Sequence, residues 1–489
     1  MSRQPDCHSE RSEESVPGTS ALRGPRILRF AQHDKKNAHS SFLIPLAVFL
    51  LAAGVLVQRT GQVGYNTDEG QFIATAQYFE IAFLDHSFGG PAWDETYWTL
   101  TQPPLTRYVL GAAIWVSGNP IPRLNPDHRI EEVRGPDRER FWDPRTFTDE
   151  RRLAEERRIE RPRAEVLAAA RLPMALFGAG AVVLLFLLGR ALGGTLAGLV
   201  AAFGLLVAPL SLTLLPRAHA ESPLVFFTLL GLYLGVRTTD RVEARHAVPR
   251  PWPLATGLAT GLAAATKLPG VLGLAALGGF AVCAGLVRIW SRQQVASDTS
   301  RWSGLAAVVG LLVFVGVNPF LWPNPVARLQ AMLEFRQQEL VGQRALNADL
   351  AVPESIAGRA GLLLQRTFLT EAPLFRRTGL PLDAPLAVTG AAVLAWRAIR
   401  ARRRGGLVGG EALFLAWTAT FLAGTAPNLG LDWQRYYLPT VALGLVLVGV
   451  GAEALLGAAR RMVRGSSRAA NTRPTTPAPI TTASSGSAG

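Results

Sequence analysis

The sequence predicts an all-α, polytopic transmembrane protein, and three observations predict it. Apolar runs of roughly 15–25 residues, the length that crosses bilayer hydrocarbon, recur along the 489-residue chain, a few of them shorter. None shows the strict apolar–polar alternation of a transmembrane β-barrel. Arginine gathers between the runs, the distribution expected of cytoplasmic loops.

About eleven runs qualify as spans: residues 42–57, 103–117, 164–188, 195–215, 222–236, 254–266, 269–287, 304–320, 385–396, 412–426 and 438–456. The first follows the basic pair Lys35 and Lys36. The second is short and opens on Pro103 and Pro104, so it reads as a partial span. Residues 72–83 form an amphipathic piece of the loop after the first span. In "VARLQAMLEFRQQEL", from Val326, apolar residues recur at helical spacing. Such helices lie along a membrane surface, here in the outer loops. Residues 119–163 carry nearly balanced charge and read as a solvated helical insertion. Residues 1–39, with "CHSERSEES", look foreign to the rest and read as a disordered or spurious extension. Residues 465–489, rich in Ser, Thr, Pro and Ala, read as a disordered tail. The transmembrane domain is then 40–464.

The net charge of +14 needs no nucleic-acid partner. The excess sits in loop clusters such as Arg237 with Arg241, Arg288 with Arg292, and Arg460 with Arg461 and Arg464. Counting back from the basic tail puts these loops inside. It puts residues 217–221, Lys267, residues 319–382 and residues 428–437 outside. The two cysteines, Cys7 and Cys283, suggest neither a disulfide nor a metal cluster.

Several charges lie against the predicted hydrocarbon. Asp68 and Glu69 are adjacent in "GYNTDEGQFIATAQYF", just after the first span. An aspartate there is partly desolvated and suited to act as a general base. The alternative is that it caps the helix that follows. Arg107, in "TQPPLTRYVLG", stands near a helix entry fixed by two prolines, where its side chain can snorkel. Arg217, His219 and Glu221 fall in "LLPRAHAESPLVFF", between two spans with almost no loop. Charges so near hydrocarbon are costly, so they pair or face a polar cavity; His219 is also a lone candidate metal ligand. Lys267 is the only charge between Arg250 and Arg288. An anionic ligand would explain it, or it snorkels. Arg435, in "NLGLDWQRYYLP", is flanked by Trp433, Tyr436 and Tyr437, aromatics common at a membrane interface. Carboxylates and cations thus converge on one membrane face. That arrangement suits transfer of a group from a lipid phosphate: a base activates the acceptor, and cations stabilise the departing phosphate.

These stretches, in this order, resemble the dolichyl-phosphate-mannose protein mannosyltransferases of glycosyltransferase family 39 and their bacterial relatives of the GT-C fold, the lipid A aminoarabinose transferases among them. Asp68, Glu69 and Gly70 resemble the acidic pair after the first span. Pro103, Pro104 and Leu105 resemble the Pro-Pro-Leu opening of the second, and Arg171, Leu172 and Pro173 the Arg-Leu-Pro of the third. Arg217 and Glu221, and Lys267 with Pro269 and Gly270, are similar to further family motifs. The resemblance implies a GT-C protein of a bacterial plasma (inner) membrane. It implies a polyprenyl-phosphate-linked sugar as donor and a lipid, glycan or protein as acceptor. It makes Asp68 the general base of an inverting transfer, with Glu69 assisting. Arg217, Lys267 and Arg435 become candidate ligands of the donor phosphate, with Arg107, Arg171, His219 and Glu221 as further site candidates. Some relatives hold a divalent ion near the acidic residues; no ligand set for one is assigned here. Two departures stand out: Gln102 where members often carry His or Lys, and Glu221 where Asp is common. The rival readings are a transporter or flippase for lipid-linked glycans and an inactive scaffold. A transporter would show paired halves with broken spans, and no internal repeat is visible.

Overall fold

The computed structural model describes residues 38–122, 162–244, 246, 248–291, 294–371, 380–403 and 409–471. The expected insertion at 119–163 falls almost wholly outside this set, as do the expected extension up to residue 37 and the tail beyond 471. The chain divides into two units, residues 1–44 and 45–489, and the site lies within the second.

The described residues are overwhelmingly helical. In chain order the helices are α1 (Ala38–Thr60), α2 (Thr67–Ala74), α3 (Tyr97–Thr101), α4 (Leu105–Val116), α5 (Ala164–Leu192), α6 (Thr195–Val207), α7 (Glu221–Glu243) and α8 (Pro251–Thr266). There follow α9 (Val271–Ser291), α10 (Gln294–Val317), α11 (Pro325–Leu346), α12 (Ile356–Gln365), α13 (Asp383–Arg403), α14 (Gly410–Thr425) and α15 (Leu438–Asn471). All eleven apolar runs are helical, yet among the described residues only six helices are long and apolar enough to span a membrane. The expected count of about eleven is therefore not established.

The shortfall has local causes. The run at 195–215 breaks because Pro209 has no N–H to donate and forces Ala208 out of the helical region, to ψ 127°. A separate short helix, Pro209–Leu214, follows. Helix α4 has 12 residues, which at 1.5 Å each covers about 18 Å of a hydrocarbon layer about 30 Å thick. The amphipathic piece 72–83 is not one helix: α2 stops at Ala74, and a turn at Gln77–Phe79 leads into a π-helical turn at Glu80–Leu84. Helix α15 runs on to Asn471, so the first residues of the expected tail are helical.

Two buried clusters hold the short helices against the long ones. Phe72 and Ile73 of α2, Leu110 and Ile114 of α4, Val166, Ala170 and Met174 of α5, and Ala218 pack together. Tyr78, Trp93, Leu100 and Tyr108 pack against Phe314, Phe320, Met332 and Phe335. Helix α11 therefore buries one face while Val326, Leu333 and Val341 stay exposed on the other, as the helical spacing predicts. Between α8 and α9 the chain leaves the helix at Lys267, which is extended (φ −161°, ψ 142°), and turns through Leu268–Gly270. Pro269 enforces the break. A Cβ at Gly270 would collide with the Ala263 carbonyl, so the turn folds tightly back on α8 and fixes where Lys267 emerges.

Candidate active site

The acidic pair is divided between two environments. Asn66, not Asp68, caps α2: its side chain accepts from the Asp68 N–H at 2.9 Å, and Glu69 Oε2 accepts from the Asn66 N–H at 3.1 Å. This is a reciprocal capping box, and it overturns the reading of Asp68 as the cap. Glu69 is fully buried. Arg171 donates to it from Nε (2.8 Å to Oε1) and Nη2 (2.6 Å to Oε2), and the Ala218 N–H donates at 2.9 Å. The remaining donors of Arg171 reach the carbonyls of Thr60 (2.6 Å), Val63 (2.9 Å) and Gly64 (3.3 Å). One guanidinium thus ties the end of α1, the following loop, α2 and α5 together. Burial pushes the Glu69 carboxyl up, but the Arg171 hydrogen bonds and charge and the Ala218 N–H outweigh it, and the net direction is down.

Asp68 faces the other way. It accepts a hydrogen bond from Arg435 Nη1, and the two side chains keep 33% and 23% of their exposure. The Arg435 guanidinium lies 4.4 Å from the Trp433 ring centre and 5.6 Å from that of Tyr436. Its Nε is buried without a hydrogen-bond partner among the described residues. The Tyr436 hydroxyl accepts from Arg336 Nη2 at 3.0 Å, and Arg336 pairs with Glu339 at 2.5 Å. Lys267 Nζ lies 5.9 Å from the same ring. Burial pushes the Tyr436 phenol up, yet Arg336, Arg435 and Lys267 together bring it below its ordinary value.

Glu221 joins the cluster from the start of α7. Lys267 donates to its Oε1 at 2.7 Å, and His219 Nδ1 stands 3.1 Å from its Oε2. Lys267 therefore does not simply snorkel; an internal acid meets it. Arg435 is near enough to interact with Glu221 through charge, as is His219 with Glu69. Arg217 has no side-chain hydrogen bond or ion pair among the described residues, and its Nε is buried. The helix Pro209–Leu214, just before it, packs on the turn Gln434–Tyr436 that carries Arg435. Arg107 stands apart. It is buried rather than snorkelling, donates to the Trp98 carbonyl at 2.9 Å and sits 5.3 Å over the Tyr78 ring. Its place is in the aromatic cluster.

Sequence reasoning passed over Arg336, Glu339, Trp433, Tyr436 and Asp432 as site residues. Arg336 lies in a helix read only for its apolar spacing, and the aromatics were read as interface anchors. Asp432 holds the turn before Arg435. It accepts from Arg366 Nε at 3.1 Å and from the Tyr437 hydroxyl at 2.7 Å, and its own N–H reaches the Leu350 carbonyl at 2.8 Å. An isolated antiparallel bridge, Ala351 to Leu431, lies alongside.

The arrangement offers one accessible carboxylate beside cations drawn from remote parts of the chain. It does not fit a divalent ion. Among the described residues no three His, Cys, Asp or Glu side chains gather as a donor set. Glu69, Glu221 and Asp68 are matched by Arg171, Lys267 and Arg435.

Residues 160–328 match the family model of the dolichyl-phosphate-mannose-protein mannosyltransferases. No curated protein matches the chain. The fold is similar to that of the oligosaccharyltransferase of Archaeoglobus fulgidus in complex with Zn and sulfate (TM-score 0.51, 13% identity, 88% of this chain and 51% of that one). It is similar likewise to AglB from Archaeoglobus fulgidus in complex with an inhibitory peptide and a dolichol-phosphate (TM-score 0.50, 14% identity, 90% and 53%). ArnT from Cupriavidus metallidurans bound to undecaprenyl phosphate aligns with a TM-score of 0.47 at 17% identity, over 85% of this chain and 60% of that one. The chain thus spans between 51% and 60% of the length of these proteins. Its described residues share the all-helical fold of the two Archaeoglobus fulgidus structures.

Proposed function

We propose that this chain is an integral-membrane glycosyltransferase that moves a sugar from a polyprenyl-phosphate donor to an acceptor hydroxyl on the extracytoplasmic face of a bacterial inner membrane. One observation carries the reading. Asp68, half open, meets Arg435 from 367 positions along the chain, beside the Lys267–Glu221–His219 group and an Arg217 left unpaired among the described residues. The family match over residues 160–328 takes in Arg171, Arg217, Glu221 and Lys267. A structural neighbour supports the ligand classes: AglB was solved with a peptide and a dolichol-phosphate.

The reaction is a single displacement with inversion. The acceptor oxygen attacks the anomeric carbon, and Asp68 takes its proton. The bond from that carbon to the phosphate oxygen breaks, and its electron pair leaves with the phosphate. Arg435, Lys267 and Arg217 stabilise the charge that develops there. Glu69 takes no proton. Its assistance is structural: it holds the backbone of α2 so that Asp68 is aimed at the acceptor hydroxyl. Arg171 is its anchor, and Glu221 with His219 orients Lys267. Arg107, set among the aromatics, is assigned no step.

The test is mass spectrometry of membrane glycans and glycoproteins from cells with the gene, without it, and with Asp68→Asn. A sugar modification lost in both altered strains, with the variant present at normal levels in the membrane, supports the enzyme. A modification untouched by Asp68→Asn supports a flippase or scaffold instead.

A further inference from the structure

We infer that Asp68 and the donor phosphate compete for one guanidinium, that of Arg435, so that arrival of the donor is what frees the base. The inference rests on the proposed lipid-phosphate donor and concerns the order of events at that site.

Of the three carboxylates in the first turns of α2 and α7, two are sealed in buried pairs: Glu69 by Arg171 and the Ala218 N–H, and Glu221 by Lys267, with His219 Nδ1 3.1 Å from its other oxygen. Asp68 is the exception, with a third of its side chain exposed and Arg435 as its partner. As it stands, Asp68 Oδ2 is turned to the Arg435 guanidinium and not to an acceptor hydroxyl. Arg435 is equally half committed. It gives Nη1 to Asp68, while its Nε is buried with no acceptor among the described residues. A phosphate presents several oxygens and takes a guanidinium through two donors at once. Lys267 and Arg217 would add to its hold, whereas the side chain of Asp68 is met by Arg435. The exchange therefore runs toward phosphate when the donor enters, and Asp68 is left facing the acceptor hydroxyl. After transfer Asp68 carries the proton and no longer competes. Once it passes that proton to water, which its exposed side reaches, it can reclaim Arg435 and help expel the spent lipid phosphate.

Binding of a polyprenyl monophosphate to the full-length protein in nanodiscs tests this, with no acceptor present. Asp68→Asn removes the competitor's charge and keeps its size. It should bind the probe about two- to fivefold tighter than the unaltered protein, the range expected for removing a partly exposed charged competitor. Arg435→Gln should bind more weakly. In an Arg435→Gln background, Asp68→Asn should give no gain. Equal or weaker binding by Asp68→Asn, with thermal unfolding unchanged, overturns the inference while leaving the donor assignment standing. If the Asn variant is not monodisperse, Asp68→Ser carries the same expectation, and its equal or weaker binding overturns the inference in the same way. Absence of binding by the unaltered protein removes the lipid-phosphate reading and the inference with it.

Discussion

Asp68 and Glu69 are neighbours in the chain with the same functional group, yet their surroundings are opposed. Successive residues on an α-helix point about 100° apart. The first turn of α2 therefore sends Glu69 into the bundle and Asp68 to an open edge. Glu69 meets a guanidinium whose donors are nearly all used on fixed acceptors, with 0% and 5% of the two side chains exposed. Asp68 meets one with donors to spare, at 33% and 23%. A charge pair sealed with every partner in place is strongly destabilising to break, because removing one member strands the other. A half-open pair can exchange partners with an incoming ion. In the proposed reaction it is the looser of the two that carries the chemistry.

The largest expected effect breaks the sealed pair. Arg171→Ala strands the Glu69 carboxylate and should cost about 3–5 kcal/mol of stability, read as loss of folded protein on size exclusion in detergent. Arg171→Lys should restore little of it, because an ammonium cannot reproduce the fork. Normal unfolding of the alanine variant would erase the contrast drawn above. Next comes Asp68→Asn, which should lower transfer by about 10²- to 10⁴-fold while leaving the melting temperature near that of the unaltered protein. If it lowers the melting temperature as Arg171→Ala does, Asp68 is structural too. Asp432→Asn loosens the turn bearing Arg435. It should cut transfer by about tenfold, within the range that slight misplacement produces, mainly through a raised KM for the donor.

Acid titration sharpens the same comparison. The Glu69 carboxyl lies below its ordinary 4.5 in the folded protein. Its stabilising contribution is therefore complete above about pH 4.5 and is lost as the pH falls further, through the folded value. Melting temperature against pH should show this acid-side decline, and Asp68→Asn should leave it in place. The smallest effect is expected at Asn66→Ala, which removes half of the capping box. That should cost about 1 kcal/mol, a drop of about 1–2 °C in thermal unfolding, with transfer unchanged once the protein is folded.

The helices were legible because hydropathy is local: each of the eleven apolar runs is helical. What escaped was their length and continuity, which turn on details such as the Ala208–Pro209 break. The acidic pair was legible as a pair but not as a division of labour. The cap lies at Asn66, two residues ahead of Asp68, and nothing in the sequence announces that Arg171 will claim Glu69 from 102 positions away. Lys267 stood out as a charge needing an anion. Its present partner, Glu221, stands 46 residues earlier on a different helix, a match that only packing could make. Arg107 misled because a guanidinium near a helix entry looks the same in sequence whether it reaches toward headgroups or stacks on a tyrosine. Arg336 was hidden by an amphipathic pattern that accounted for its helix without it.

The turn that presents Arg435 takes its bearings from outside the spans. Arg366 and Leu350 hold Asp432, Ala351 bridges to Leu431, and Arg336 of α11 steadies Tyr436. Residues 325–371 thus set the height and tilt of one cation, while Asp68 is registered by Asn66, Glu69 and Arg171. Because Arg328 and Phe335 of α11 also grip Trp93 and Tyr97 of the first loop, a change in that stretch is felt at the acid as well as at the cation.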